Sequence, residues 1–324
     1  LAFTSRVSQE EMAVEEDRDP ALLIDPEELE RRAEEKDKQE KDKADPRVIR
    51  RFAYRAETSF FDDRTAQLYL LEVDTETGGA KDKPRRLTHD GRNYSEPQWM
   101  PDGSDLVAVV SRQPGVDDLF YFSDLVRVPL DGGEPALLTG TDTADRGPRP
   151  SPDGHWIAYN SQPVAGYSTA NLEIKLLPAA GGEPRMLTVE LDCHAVDLAW
   201  MPDSQSVCFL AAERGRVDLR RVPVEGGSID VLLTADREIQ AFDLSPDGKQ
   251  VGFVASTDQV PSELYAASQD TLHEHRLTRD NADWLATKTL GEASDLWFES
   301  TDGTPIHGWI IKPPDFAPTE KYPL

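Results

Sequence analysis

One tight-turn tetrapeptide recurs four times in this chain. The copies are Met100-Pro101-Asp102-Gly103, Ser151-Pro152-Asp153-Gly154, Met201-Pro202-Asp203-Ser204 and Ser245-Pro246-Asp247-Gly248, with prolines 51, 50 and 44 residues apart. A second phrase keeps the same beat at Leu87-Thr88, Leu138-Thr139, Leu187-Thr188, Leu233-Thr234 and Leu277-Thr278, in steps of 51, 49, 46 and 44 residues. Two markers that drift together define a repeat array, and a period of 44 to 51 residues is that of β-propeller blades.

Each repeat reads in the same order. A short apolar segment such as Pro97-Gln98-Trp99 or Leu198-Ala199-Trp200 leads into the turn. There proline presets φ at the second position, and glycine at the fourth supplies a left-handed conformation. The third copy has Ser204 in place of glycine. That exchange costs about 1 kcal/mol of backbone strain, so a looser turn is expected there. Next comes an apolar run (Leu106 to Val110, Trp156 to Tyr159, Val207 to Leu210, Val251 to Val254), the pattern of a strand buried on both faces. An alternating strand follows (Asp124 to Val128, Leu172 to Leu176, Asp218 to Val222). A Gly-Gly turn and a short outer strand then end at Leu-Thr.

The fold class expected is therefore all-β, a propeller of four-stranded antiparallel blades. Five units are recognisable, at 1–88, 89–139, 140–188, 189–234 and 235–278, with a sixth beginning near 279. The complete ring should hold about seven blades, the others preceding Leu1. Residues 1–288 are assigned to the propeller. Residues 9–47 interrupt the first unit with an acid-rich insertion. Its i,i+4 pairs Glu27–Arg31, Glu28–Arg32 and Glu34–Lys38 favour partial helix. A solvated excursion is the plainer reading, and a docking arm for a partner subunit, hence a homo-oligomer, the sharper one.

Composition narrows the partners. A net charge of −26 repels phosphate backbones, so nucleic acid is not expected. No apolar run is long enough to span a bilayer, and no signal peptide is visible, so no membrane partner is expected. The two cysteines, Cys193 and Cys208, do not make a disulfide scaffold, although a single bridge between them is an alternative. The cytoplasm is the default compartment. No metal-ligand spacing, phosphate loop or cofactor motif occurs, so neither metal nor cofactor is expected. His273 and His275 read as surface residues of an outer strand.

After Thr278 the template stops. A hairpin with an Asp-Gly turn, Asp302-Gly303-Thr304, runs through Gly308-Trp309 to Pro313-Pro314 and Lys321-Tyr322-Pro323-Leu324. A propeller with Ser-Pro-Asp-Gly and Leu-Thr phrases followed by this segment resembles the prolyl oligopeptidase family of serine peptidases, most of all its acylaminoacyl-peptidase-like branch. The resemblance covers nearly the whole chain. It implies that residues 289–324 are a final propeller strand and a linker into an α/β-hydrolase domain.

The resemblance also implies an enzyme, a serine peptidase acting on short, in some cases N-acylated, peptides. Its catalytic Ser, Asp and His would lie on that further domain and its propeller would gate substrate. No catalytic residue is assigned within these 324 residues, and this stretch alone is expected to be inactive. The nearest match to a nucleophile elbow, Gly166-Tyr167-Ser168-Thr169-Ala170, precedes a strand rather than a helix and is rejected. The propeller phrases also occur in TolB-like propellers, so a non-catalytic protein-binding scaffold is the alternative. Arg92, Arg146 and Arg149 precede turns at positions expected to face the tunnel or its rim. By the resemblance they could pair with a peptide carboxylate, against a structural role bonding backbone carbonyls. The Phe60-Phe61-Asp62-Asp63-Arg64 turn is a rim element or a charged loop.

Overall fold

The computed structural model describes residues 1–7, 55–56, 59–60, 64–112, 122–140, 142–163, 169–269, 271 and 273–322. The insertion at 9–47, most of the Phe60–Arg64 turn and residues 166–168 of the rejected elbow lie outside the described residues. The chain divides into two compact units, Leu1–Arg185 and Met186–Leu324.

In the first unit, strand β1 (Ala2–Val7) is separated in sequence from its partner by β2 (Arg55–Ala56) and β3 (Ser59–Phe60), which pair with each other. β4 (Thr65–Leu70) pairs antiparallel with β1 and with β5 (Arg85–Arg86). The second blade is β6 (Tyr94–Trp99), β7 (Asp105–Ser111), β8 (Ser123–Pro129) and β9 (Ala136–Leu137), each antiparallel to the one before. The third is β10 (Thr143–Pro150), β11 (Trp156–Pro163), β12 (Glu173–Pro178) and β13 (Arg185–Met186), the last lying at the unit boundary. β12 occupies the segment after the rejected elbow, which is a strand as expected.

The second unit repeats the plan twice. One blade is β14 (Ala195–Trp200), β15 (Ser206–Glu213), β16 (Arg216–Pro223) and β17 (Asp230–Leu233). The other is β18 (Glu238–Leu244), β19 (Gln250–Ser256), β20 (Glu263–Ser268) and β21 (Glu274–Arg276). A one-turn helix α1 (Ala282–Leu285) precedes β22 (Glu292–Glu299) and β23 (Pro305–Lys312), which form a two-stranded sheet of their own.

The both-face burial of the second strands has a direct cause. In β7, Leu106, Ala108 and Val110 join Leu68, Leu87 and Tyr94 in one core, while Val107 and Val109 join Ile157, Tyr159 and Leu177 in another. Successive side chains point to opposite faces of a strand, so one strand supplies two inter-blade seams. In the second unit Leu210, Leu219, Ile239, Val251 and Phe253 form the corresponding core.

The turns close alike. The fourth residue donates its N–H to the first carbonyl at Gly103–Met100 (2.9 Å), Gly154–Ser151 (2.9 Å), Ser204–Met201 (2.9 Å) and Gly248–Ser245 (2.8 Å). Ser204 is therefore not looser. It adopts φ 60° and closes the same turn, so the hydrogen bond outweighs the left-handed strain. A fifth copy without proline, Ser300-Thr301-Asp302-Gly303, closes with Gly303 N–H to Ser300 carbonyl at 2.9 Å. In the copies that begin with serine, the hydroxyl of Ser151, Ser245 or Ser300 donates to the aspartate two residues on at 2.6 Å.

The Leu-Thr phrase is a strand clamp. The Thr88, Thr139 and Thr278 hydroxyls accept the N–H of Leu68 (3.0 Å), Leu125 (2.9 Å) and Leu264 (2.9 Å). Thr88 also donates to Gln67 Oε1 at 2.8 Å, and Thr278 donates to Glu263. The fourth unit departs, with Thr234 exposed beside a register shift between Leu219 and Arg220.

Candidate functional site

Among the described residues, the first strand of each four-stranded blade carries a register shift, between Ser95 and Gln98, Arg146 and Arg149, Val196 and Ala199, and Ile239 and Ala241. Bulges re-aim side chains and recur beside functional sites. Three of them place a residue in the left-handed region: Glu96 (φ 52°), Gly147 (φ 62°) and Asp197 (φ 54°). Glycine takes that conformation freely, whereas Glu96 and Asp197 do so at about 1–2 kcal/mol each. Glu96 Oε2 accepts the Gly147 N–H at 2.6 Å, tying the bulge of β6 to that of β10. Sequence reasoning missed both acids. They stand one repeat step from Gly147 on either side, and that spacing was the available signal.

The three predicted arginines differ in their immediate surroundings. Arg92 lies in the connection entering β6, with Nε 2.6 Å from Asp90 Oδ2 and Nη2 3.2 Å from the Tyr94 hydroxyl. The Tyr94 hydroxyl donates to the same Asp90 oxygen at 2.7 Å. Burial opposes ionisation of Asp90, yet hydrogen bonds from Arg92 and Tyr94 hold its carboxyl below the ordinary carboxylate range. Arg149 lies beyond the β10 bulge, with Nη1 3.1 Å from the Pro148 carbonyl oxygen. Arg146 lines a cavity of about 110 Å³ with Asn93, Ser95, Glu96, Ser111 and Ser123. Of the three, Arg146 alone lines this void.

In the second unit a cleft of about 310 Å³ opens between the last blades and the β22–β23 hairpin, walled by Gly215, Asp236, Glu238, Asp258, Asp295 and Trp309. Arg237, also in its wall, is held by Glu274 through two contacts of 2.7 and 2.6 Å and lies 4.9 Å above the Phe253 ring. His307 Nε2 is 3.0 Å from Asp295 Oδ1, and its ring stacks on Trp297 at 4.2 Å. His273 and His275 pack edge to face at 4.4 Å. Among the described residues no group of three His, Cys, Asp or Glu side chains could hold a metal ion. Nor is any helix there long and apolar enough to cross a membrane. Cys193 and Cys208 are both free, so the alternative bridge is not formed. Burial pushes the Cys208 thiol up to about 12, which makes it a poor nucleophile.

No family model matches the chain. It is 25% identical over 230 residues to dipeptidyl-peptidase 5 of Porphyromonas gingivalis, covering 69% of this chain and 33% of that protein. It is likewise 25% identical to the uncharacterized peptidase YuxL of Bacillus subtilis, covering 82% of this chain and 54% of the relative. Over most of its own length the chain is similar in sequence to these peptidases. Among solved structures, the acylaminoacyl peptidase of Pyrococcus horikoshii shares its fold over 84% of this chain and 40% of its own, with TM-score 0.63 and 20% identity. An acylaminoacyl peptidase in complex with Z-Gly-Gly-Phe-chloromethyl ketone matches 87% of this chain and 41% of its own, with TM-score 0.66 and 20% identity. The fold is thus that of a peptidase-family propeller. The chain spans from a third to about half the length of these curated relatives.

Proposed function

We propose that this propeller selects substrate for a serine peptidase whose catalytic Ser, Asp and His lie in another part of the full-length protein. The observation that carries this reading is the pairing of peptidase relatives with a match confined to a third to a half of their length. The substrates are short peptides. A narrow passage beside a buried site admits an unfolded segment and rejects a folded protein by size. On the catalytic domain, serine would attack the scissile carbonyl and histidine would take its proton and later pass it to the leaving amine.

Within the propeller, Arg146 is the residue assigned to meet substrate, since it lines a polar void at a strand bulge. Its guanidinium would pair with a peptide carboxylate. Arg92 does not line that void and is assigned to structure, where it binds Asp90 and Tyr94.

The test is to assay the full-length product with dipeptidyl and N-acyl-aminoacyl reporters, with a serine-directed fluorophosphonate as control. Turnover abolished by the fluorophosphonate is expected, and a full-length product that neither reacts with it nor cleaves either reporter class sinks the reading. In the active enzyme, Arg146→Ala should raise KM about tenfold for peptides with a free carboxylate and leave amidated peptides unchanged. Equal effects on both would remove Arg146 from the substrate path.

A further inference from the structure

Arg146 is flanked by two clamps on the main chain of β10. On one side stands buried Asp145, whose carbonyl accepts the Ser123 hydroxyl at 2.8 Å. Its Oδ1 accepts the hydroxyls of Thr143 at 2.8 Å and Ser161 at 2.6 Å. On the other side stands Gly147, whose N–H reaches Glu96 Oε2 at 2.6 Å. Pro148 follows, with φ fixed by its ring. Between these points the chain can present Arg146 in few ways. The walls of the void are ordered in the same manner. Asn93 Oδ1 accepts the Ala66 N–H and Ser111 Oγ accepts the Asn93 N–H, both at 2.9 Å. Among the described residues, Glu96 and Arg146 are its two charged lining side chains. A preorganised frame around one guanidinium favours selective ion pairing.

Glu96 is the unexpected member of this frame. Its left-handed backbone is disfavoured for a residue with a Cβ, and such strain persists where the surroundings impose it. Stability does not call for it. Glu96 and its bond to Gly147 are exposed, so water would satisfy the Gly147 N–H if the carboxylate were absent. Glycine at this position would adopt the conformation without strain. What the carboxylate adds is a fixed direction, through a short charge-assisted bond that crosses from the second blade to the third.

We propose that Glu96 is a positioning residue for Arg146. Its carboxylate latches the Gly147 amide, sets the β10 bulge, and so holds the guanidinium where a peptide carboxylate meets it. This rests on the reading above that Arg146 meets substrate. It makes the preference for a free peptide carboxylate a property of two blades rather than of one side chain.

The test uses the active full-length enzyme. Glu96→Ala should raise KM about fivefold for peptides with a free carboxylate, with kcat and amidated peptides unmoved. Glu96→Gln keeps an acceptor oxygen and should stay within about twofold of the parent. Glu96→Gly should raise KM as alanine does while Tm holds or rises, because the strain is gone. Added to Arg146→Ala, Glu96→Ala should cost nothing further. Equal losses for both peptide classes, or a Tm lowered by Glu96→Gly, would make Glu96 a stabilising residue and overturn the proposal. A loss tied to a free peptide N-terminus would overturn it too, since Glu96 would then bind the ammonium itself. Hydrogen exchange supplies a readout outside catalysis. The Gly147 amide should exchange about tenfold faster in Glu96→Ala, and an unchanged rate removes the latch. If Arg146→Ala is selective and Glu96→Ala is not, this inference alone fails. If Arg146→Ala is not selective, the reading beneath it fails as well.

Discussion

The turns at Ser245–Gly248 and Ser300–Gly303 have the same chemistry and opposite surroundings. Both close through the same backbone bond, and both hold aspartate by a serine hydroxyl at 2.6 Å. Beyond the first, Val251, Phe253 and Ala255 are buried. Beyond the second, Trp309 and Ile311 are exposed. The comparison separates two things that the sequence presents as one phrase. The turn is decided by four residues, but a strand becomes part of a blade through the neighbours on its two faces.

The largest expected effect tests those neighbours. Phe253→Ala should destabilise the protein by about 3–5 kcal/mol, because it empties a core shared by two blades. Chemical denaturation would measure it, and a loss below about 1 kcal/mol would show that the seam tolerates a cavity. Next comes the clamp at the outer strand. Thr88→Val strands the buried Leu68 N–H and Gln67 side chain and should cost about 1–3 kcal/mol. The fourth unit supplies the contrast, since exposed Thr234→Val should stay within about 0.5 kcal/mol.

A smaller effect compares the two turns directly. A Cβ on Gly303 (φ 83°) meets nothing, so Gly303→Ala should cost about 1–2 kcal/mol of left-handed strain. A Cβ on Gly248 (φ 69°) would stand 3.0 Å from Pro202 Cδ of the preceding turn, so Gly248→Ala should cost about 1 kcal/mol more. Equal losses in thermal unfolding would mean that the turns do not nest.

The smallest effect is electrostatic. The Ser151 hydroxyl and the His155 N–H outweigh a small burial penalty and hold Asp153 at about 2, and Ser300 with Thr304 does the same for Asp302. A carboxyl depressed in the folded state stabilises it above its unfolded pKa. That contribution is lost as pH falls from about 4 to about 2. Titration by NMR should find both midpoints below those of free aspartate, and Ser151→Ala should raise the first and leave the second unmoved.

Much of the fold was legible because turn chemistry and strand burial repeat in step, so each copy confirmed the others. What escaped were departures from the repeated phrase and features that depend on partners distant in sequence. The left-handed Ser204 is tolerated because its turn still closes, which no propensity states. The fifth turn went uncounted because Thr301 replaces proline, although the serine-to-aspartate bond that holds it was present in the letters. The site was less legible still. Arg92, Arg146 and Arg149 look equivalent on the page. Only the placement of Asp90, Tyr94 and the β10 bulge distinguishes them.

The two-sided strand β7 has a mechanical consequence. Its odd and even residues answer to different neighbours, so a slip of one residue would spoil both seams at once. The alignment of such a strand is proofread from either side. Pulled from its ends, the first unit should not shed β7 and its blade singly. Extraction of that strand takes lining residues from the cores on both sides, and force traces should show those neighbours yielding together in one long step.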